Sequence, residues 1–214
     1  MNLDTFFERF RIVSRSPDGV PRLRELVLQL ATSGRLAQPA TNERERESLI
    51  SEISQIQEQS LSQRELQELK QIPRSDDNAA GKVCLGRIVR LISGQHLNPT
   101  EYTSTQVGIP YITGPAEFGP QFPRPVKWTM QQRAVAEHHD VLITVKGSGV
   151  GKTNRVNSKK LAISRQLMAV RSLGRVNPDY LWLCLRAAET EFQAAKSGIA
   201  IPGIGRRDVL SLPV

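Results

Sequence analysis

The sequence predicts an α+β fold: a mixed-sheet domain carrying an N-terminal helical arm. Three observations lead there. Up to about residue 79 the apolar residues recur at helical spacing, and residues 41–72 contain no glycine. From Lys82 onward short apolar runs alternate with clusters of turn formers, the grammar of strands and loops. Charge divides at the same place. Residues 1–79 hold 11 Lys/Arg against 13 Asp/Glu, whereas residues 80–214 hold 18 against 8, within a chain of net charge +8. The expected domains are therefore a helical region over 1–79, for partner docking or dimerisation, and a strand-rich domain over 80–214.

The arm begins with Phe6, Phe7 and Phe10, whose spacing puts three rings on one face for helix packing. Leu23, Leu26, Val27 and Leu30 then predict an amphipathic helix over about 20–37, with Pro21 near its start and Gly34 as C-cap. Leu49, Ile53 and Ile56 form one apolar stripe, and Leu66, Leu69 and Ile72 another. Between them Ser62 and Glu65 have capping-box spacing, so a helix pair or one bent helix is expected. A stripe of this kind must be buried against something. The helix at 20–37 is the first expected partner, and the domain at 80–214 is expected to stand without the arm. Residues 74–81 (RSDDNAAG) read as a linker.

In the basic half, VCLGRIVRLI, IPYIT, DVLITV and LAISRQLMAV predict strands. A short helix is expected at Met130–Glu137. A longer one is expected at Pro178–Ala195, capped by Asn177 with Pro178 at its first position.

Composition excludes several classes. Cys84 and Cys184 show no disulfide pattern, no apolar run reaches membrane-span length, and MNLDTFFERF is no signal peptide, so a cytoplasmic location is expected. The basic excess is the footprint of a polyanion binder. With aromatic residues at 5%, a stacking platform for single strands is poorly supported, which favours duplex nucleic acid.

Lys146–Thr153, KGSGVGKT, almost forms a phosphate-binding P-loop. Counting back from Gly151 puts Lys146 where the first glycine must stand, and NRVNS follows instead of a helix. What remains is a glycine-rich cationic hairpin tip bearing Lys146, Lys152 and Arg155. Asn177-Pro178-Asp179-Tyr180 invites comparison with the Asn-Pro-Pro-Tyr loop of adenine-N6 methyltransferases, but a helix cap accounts for it. His96, His138 and His139 lack metal-ligand spacing. No nucleophile–base arrangement can be assembled, and the acidic residues after 80 are scattered. No catalytic, metal or cofactor-binding residue is expected.

The string MNLDTFFERF…RLRELVLQLATSGRLAQP, with Leu30-Ala31-Thr32-Ser33-Gly34-Arg35-Leu36, resembles the N-terminal helical region of specificity (S) subunits of Type I restriction–modification systems. The Glu-rich segment Ser48–Lys70 fits it as well. KVCLGRIVRLISGQHLNPTEYTSTQVGIPYITGPAE resembles the opening of their target recognition domain. DVLITVKGSGVGK and GIAIPGIGRRDVLSLPV resemble its later blocks, so the order of motifs covers nearly the whole chain. The resemblance implies a non-catalytic protein that reads part of a split DNA target and bridges methyltransferase (M) subunits. Adenine methylation would then require those subunits and S-adenosylmethionine, and cleavage would require ATP-driven restriction (R) subunits. Family members usually carry two recognition domains. One is seen here, as expected of a truncated gene, a fragment, or a half-subunit pairing with a copy of itself as a homodimer.

The expected phosphate contacts are Lys146, Lys152, Arg155, Lys159, Lys160 and Arg165, and the expected base-edge contacts are Gln95, His96, Thr113 and Asn154. On the residues alone two rivals stay open: a P-loop-like nucleotide enzyme and a basic scaffold that binds only protein.

Overall fold

A computed structural model describes residues 10–35, 43–73, 82–195 and 203–214. The chain divides into two compact units, residues 1–40 and 41–214. Phe6, Phe7 and the expected linker 74–81 lie outside the described residues.

In the first unit residues 10–15 are helical, and helix α1 spans Gly19–Thr32. It ends sooner than the apolar spacing predicts. Gly34 takes a left-handed φ of +71°, and the Arg35 amide returns to the Leu30 carbonyl at 2.9 Å, which stops the helix.

The second unit opens with α2 (Glu43–Ser60) and α3 (Gln63–Lys70). They are separate helices because the expected capping box forms. The Glu65 amide donates to Ser62 Oγ at 3.4 Å, and the Ser62 amide donates to Glu65 Oε2 at 2.9 Å. After a single 3-10 turn at Leu85–Arg87 come eight strands: β1 (Val89–Ser93), β2 (Ile109–Ile112), β3 (Trp128–Thr129), β4 (Val135–Glu137), β5 (Val141–Thr144), β6 (Thr153–Arg155), β7 (Lys160–Ile163) and β8 (Leu167–Ser172). Helices α4 (Pro178–Ala187), α5 (Glu189–Ala195) and α6 (Arg206–Leu210) complete the unit.

The strands form two four-stranded sheets. The first has order β1-β8-β5-β6 and is antiparallel throughout. The second has order β3-β2-β7-β4, and its central pair β2–β7 is parallel. Strands and helices mix as the expected α+β class requires.

The first sheet is the middle layer, which explains why β5 reads as a continuous apolar run. Val141 and Ile143 face a core shared with Leu91, Val170, Leu181, Leu185, Phe192 and Val209. Leu142, between them, faces the opposite core with Ile112, Leu161, Ile163 and Ala169, where the second sheet packs. The helices thus cover one face and the second sheet the other.

Four expectations change. The stripe Leu49, Ile53, Ile56 is occupied by the strand domain itself. Ile53 is fully buried in the helix-side core with Leu69 and Ile72, and Leu49 and Ile56 pack against it. The domain at 80–214 is therefore built on these helices. Residues 130–137 form no helix; they run through a bend into β4, because Ala134 and Ala136 are drawn into the sheet core at strand spacing while Val135 between them stays half-buried on the other face. LAISRQLMAV is two strands, since Ser164–Gln166 makes a turn between β7 and β8. The helix at Pro178–Ala195 is also interrupted, at Ala188.

Candidate nucleic-acid interface

Strand pairing places several loops at one end of both sheets. The ends of β1 and β5 and the starts of β6 and β8 meet there, since Ser93 pairs with Met168, Thr144 with Leu167, and Ile143 with Thr153. In the second sheet the parallel pair β2–β7 ends at the same turn. The Ser164 amide donates to the Ile112 carbonyl at 3.0 Å and Ser164 Oγ to the Thr113 carbonyl at 2.6 Å. The Gly94 amide donates to the Leu167 carbonyl (3.0 Å), the Gln95 amide to the Ile163 carbonyl (2.9 Å), and the Val145 amide to the Gln166 carbonyl (2.8 Å). Three loops are thus fastened around the β7–β8 turn, which makes four at this end.

This rim gathers six of the ten residues expected to meet DNA: Gln95, His96, Thr113, Lys146, Lys152 and Arg165. Gln95, His96, Lys146, Lys152 and Arg165 are exposed, and Thr113 is half-buried. Among the described residues, Lys146, Lys152 and Arg165 make no ion pair, in contrast to Arg90, Arg133, Arg155, Arg171, Arg175 and Arg206, which all pair with carboxylates. Thr113 is partly committed: its amide and hydroxyl donate to the Glu117 carboxylate at 2.6 and 3.0 Å.

The loop from Lys146 to Lys152 is a hairpin tip joining antiparallel β5 and β6. Gly147 and Gly151 adopt φ of +89° and +88°, which other residues rarely tolerate. Three of its amides are spent internally, Val150 to the Gly147 carbonyl at 3.4 Å, Gly151 to the Thr144 carbonyl at 2.9 Å and Lys152 to the Gly149 carbonyl at 3.0 Å. A phosphate-binding loop needs those amides free and a helix to follow. A strand follows, so the nucleotide-loop reading falls.

The other four expected residues lie elsewhere. Asn154 is buried at 2% exposure, and its Nδ2 donates to the Gly119 carbonyl at 2.8 Å. It fastens the 118–123 hairpin to the outer edge of β6 and presents nothing to a base. Arg155, at the opposite end of β6, pairs with Asp179 at 3.0 Å and lies 5.1 and 5.4 Å from the ring centroids of Trp182 and Phe122. Its charge serves packing between β6 and α4. Lys159 and Lys160 are exposed at the start of β7, the end away from the rim, and Lys160 donates to Gln132 Oε1 at 2.9 Å.

The sequence reading missed Gln166, which is exposed beside Arg165. Its signal was the polar break Ser-Arg-Gln inside LAISRQLMAV, hidden when that segment is taken as one strand.

Other expectations resolve locally. Asn177 Oδ1 accepts from the Asp179 amide at 2.8 Å, so Asn177–Tyr180 is a helix start. His138 and His139 stack edge to face, 3.8 Å between centroids. Among the described residues no three His, Cys, Asp or Glu side chains are grouped to hold a metal. At the end opposite the rim, buried Asp140 accepts from Arg171 Nε at 3.0 Å and Nη2 at 2.9 Å, and from the Glu137 amide at 2.8 Å. Burial raises the Asp140 carboxyl above its usual range despite the guanidinium beside it. These groups clamp the β4–β5 turn onto β8. No helix among the described residues is long and apolar enough to cross a membrane.

No family model matches the chain. Over 126 residues it is 28% identical to a protein of Methanocaldococcus jannaschii named for the type I restriction enzyme MjaX specificity subunit, a span of 58% of this chain and 29% of that relative. The HsdS subunit from Thermoanaerobacter tengcongensis matches in fold with a TM-score of 0.55 at 26% identity, over 89% of this chain and 44% of that one. A chain from a structure on complex assembly and conformational transition of the type I R-M system gives a TM-score of 0.57 over 99% of this chain and 44% of that one; at 23% identity it speaks for the fold. The chain spans less than half the length of each of these relatives. In sequence and in fold, the chain resembles the specificity subunits of Type I restriction–modification systems.

Proposed function

We propose that this chain recognises duplex DNA in a sequence-specific manner, as a specificity component of a Type I restriction–modification assembly. The observation that carries the reading is the rim. Four loops from both sheets converge there with three unpaired cations and with polar side chains of Gln95 and His96 among them. Cations fix the register on the phosphates, and polar side chains between them read base edges. Asn154 and Arg155 are committed to packing elsewhere in the fold, and Lys159 and Lys160 stand apart from the rim.

The division of labour follows the expected boundary. Residues 80–214 bind DNA, and residues 1–79 carry docking surfaces for M subunits and, through them, R subunits, or for a second copy of the chain. The two regions divide function while sharing a core through α2 and α3. The chain itself performs no chemistry and binds no cofactor; S-adenosylmethionine and ATP belong to its partners.

The test is binding of the full chain to duplex DNA across a salt series, followed by selection from a random duplex library. Each neutralised phosphate contributes a slope of about −0.9 in log K against log salt, so three rim cations predict a slope of roughly −3. A consensus should emerge from selection. A flat salt response, or binding without a consensus, overturns the reading.

A further inference from the structure

We infer that Gln166 is a specificity-determining residue that reads an adenine in the major groove; this rests on the DNA-recognition reading above. Gln166 stands in the turn around which the rim is assembled, between Arg165 and the start of β8.

Its backbone is held on both sides. The Gln166 amide donates to Ser164 Oγ at 3.4 Å, and its carbonyl accepts from the Val145 amide at 2.8 Å. Ser164 is in turn tied through its hydroxyl to Thr113 and through its amide to Ile112, so the turn is fixed to both sheets. A side chain on such a support starts from a defined position, and little backbone ordering remains to be done on binding.

The side chain itself is uncommitted. It is exposed, and among the described residues its amide group makes no hydrogen bond. It lies across Gly114 on the neighbouring loop. A Cβ at position 114 would come within 2.3 Å of Gln166 Oε1, so only glycine there leaves the Gln166 side chain where it is. A glutamine amide offers a donor and an acceptor side by side. That pair matches the N7 acceptor and N6 amino group that adenine presents in the major groove. Arg165 and Lys146, beside it in the same turn and on the next loop, supply the phosphate contacts that hold a reader in register.

The experiment is library selection with the full chain, wild type against Gln166→Ala and Gly114→Ala. The wild type selects a consensus, and Gln166→Ala relaxes one position that requires adenine. The loss of discrimination there should be about 5- to 150-fold, with an unchanged salt slope. Gly114→Ala weakens discrimination at the same position by displacing the side chain. An intact consensus in Gln166→Ala, relaxation at a position that does not require adenine, or equal weakening on all sequences overturns the inference while leaving DNA recognition standing. Absence of any wild-type consensus instead removes the reading on which it rests.

Discussion

Gln57 Nε2 on α2 donates to the Gly86 carbonyl at 2.9 Å, a buried hydrogen bond between residues 29 apart in sequence. It joins the helical segment to the start of the strand domain where water cannot replace it. Gln57→Leu removes the donor and leaves the carbonyl unsatisfied, so the chain should lose about 1–3 kcal/mol of stability. Denaturant unfolding followed by helix and tertiary signals should show one transition that moves as a whole.

Ile53 is fully buried among Leu69, Ile72 and residues of the first sheet. Ile53→Ala should cost about 2–5 kcal/mol through lost transfer energy and the cavity left behind. Ile53→Asp should unfold the second unit and abolish DNA binding together with any partner binding, and residues 82–214 alone should fail to give a native thermal transition. A stable, DNA-binding fragment of 82–214 would contradict this.

Lys152 and Arg155 lie at opposite ends of β6 and should behave oppositely. Lys152→Ala should weaken binding to all duplexes alike and lower the salt slope by about 1, with no change in melting temperature. Arg155→Ala should lower stability by about 1 kcal/mol, since its guanidinium packs between Phe122 and Trp182, and should leave the slope unchanged. Salt-dependent titrations paired with thermal melts separate the two.

Glu65 is the charge-sensitive element of the helix junction. Burial raises its carboxyl, but hydrogen bonds from the Ser62 amide and hydroxyl and from Arg90 outweigh this and hold it below its ordinary value. A carboxylate depressed in the folded state contributes stability above its unfolded pKa, and that contribution is lost as pH falls through the folded value. Glu65→Ala should therefore cost about 1 kcal/mol at neutral pH. The gap to wild type should close as pH drops below the ordinary value of 4.5. Urea midpoints at pH 7, 5 and 3 would show the convergence.

On α1, Leu26 and Val27 are 50% and 54% exposed. If the arm docks an M subunit, Leu26→Asp combined with Val27→Asp should reduce co-purification with it by tenfold or so, the equivalent of roughly 1.4 kcal/mol. The melting temperature and duplex binding of the chain alone should be unchanged.

Local signals in the sequence carried well. Ser62 with Glu65, Asn177 with Pro178, and Gly34 each act within one turn of a helix, so their spacing is enough to place them. The failed phosphate loop was legible for the same reason. What could not be read was set by tertiary pairing. Lys146 and Arg165 come to the same end because β5 finishes where β8 begins, whereas Arg155 is carried to the other end by three residues of strand. Asn154 looks like a reader by type and position in a turn-forming string, yet β6 pairing turns it inward. The partner of the Ile53 stripe was equally hidden, because helical spacing tells which face is buried and not what buries it.

Residues 209–214 close the core of the strand domain. Val83 and Val214 exchange amide–carbonyl hydrogen bonds at 3.1 and 2.9 Å, the Leu85 amide donates to the Leu212 carbonyl at 2.8 Å, and Val209, Leu210 and Leu212 are buried in the core that contains Ile53. During synthesis this core therefore stays incomplete until residues 209–214 have left the ribosome. Val89 and Leu91 on β1 wait with their apolar face uncovered while the intervening strands are made. Such late, long-range closure slows folding and prolongs the interval in which a nascent chain can aggregate. The yield of native protein in a cell should accordingly depend on chaperone capacity more than the equilibrium stability of the finished fold would suggest.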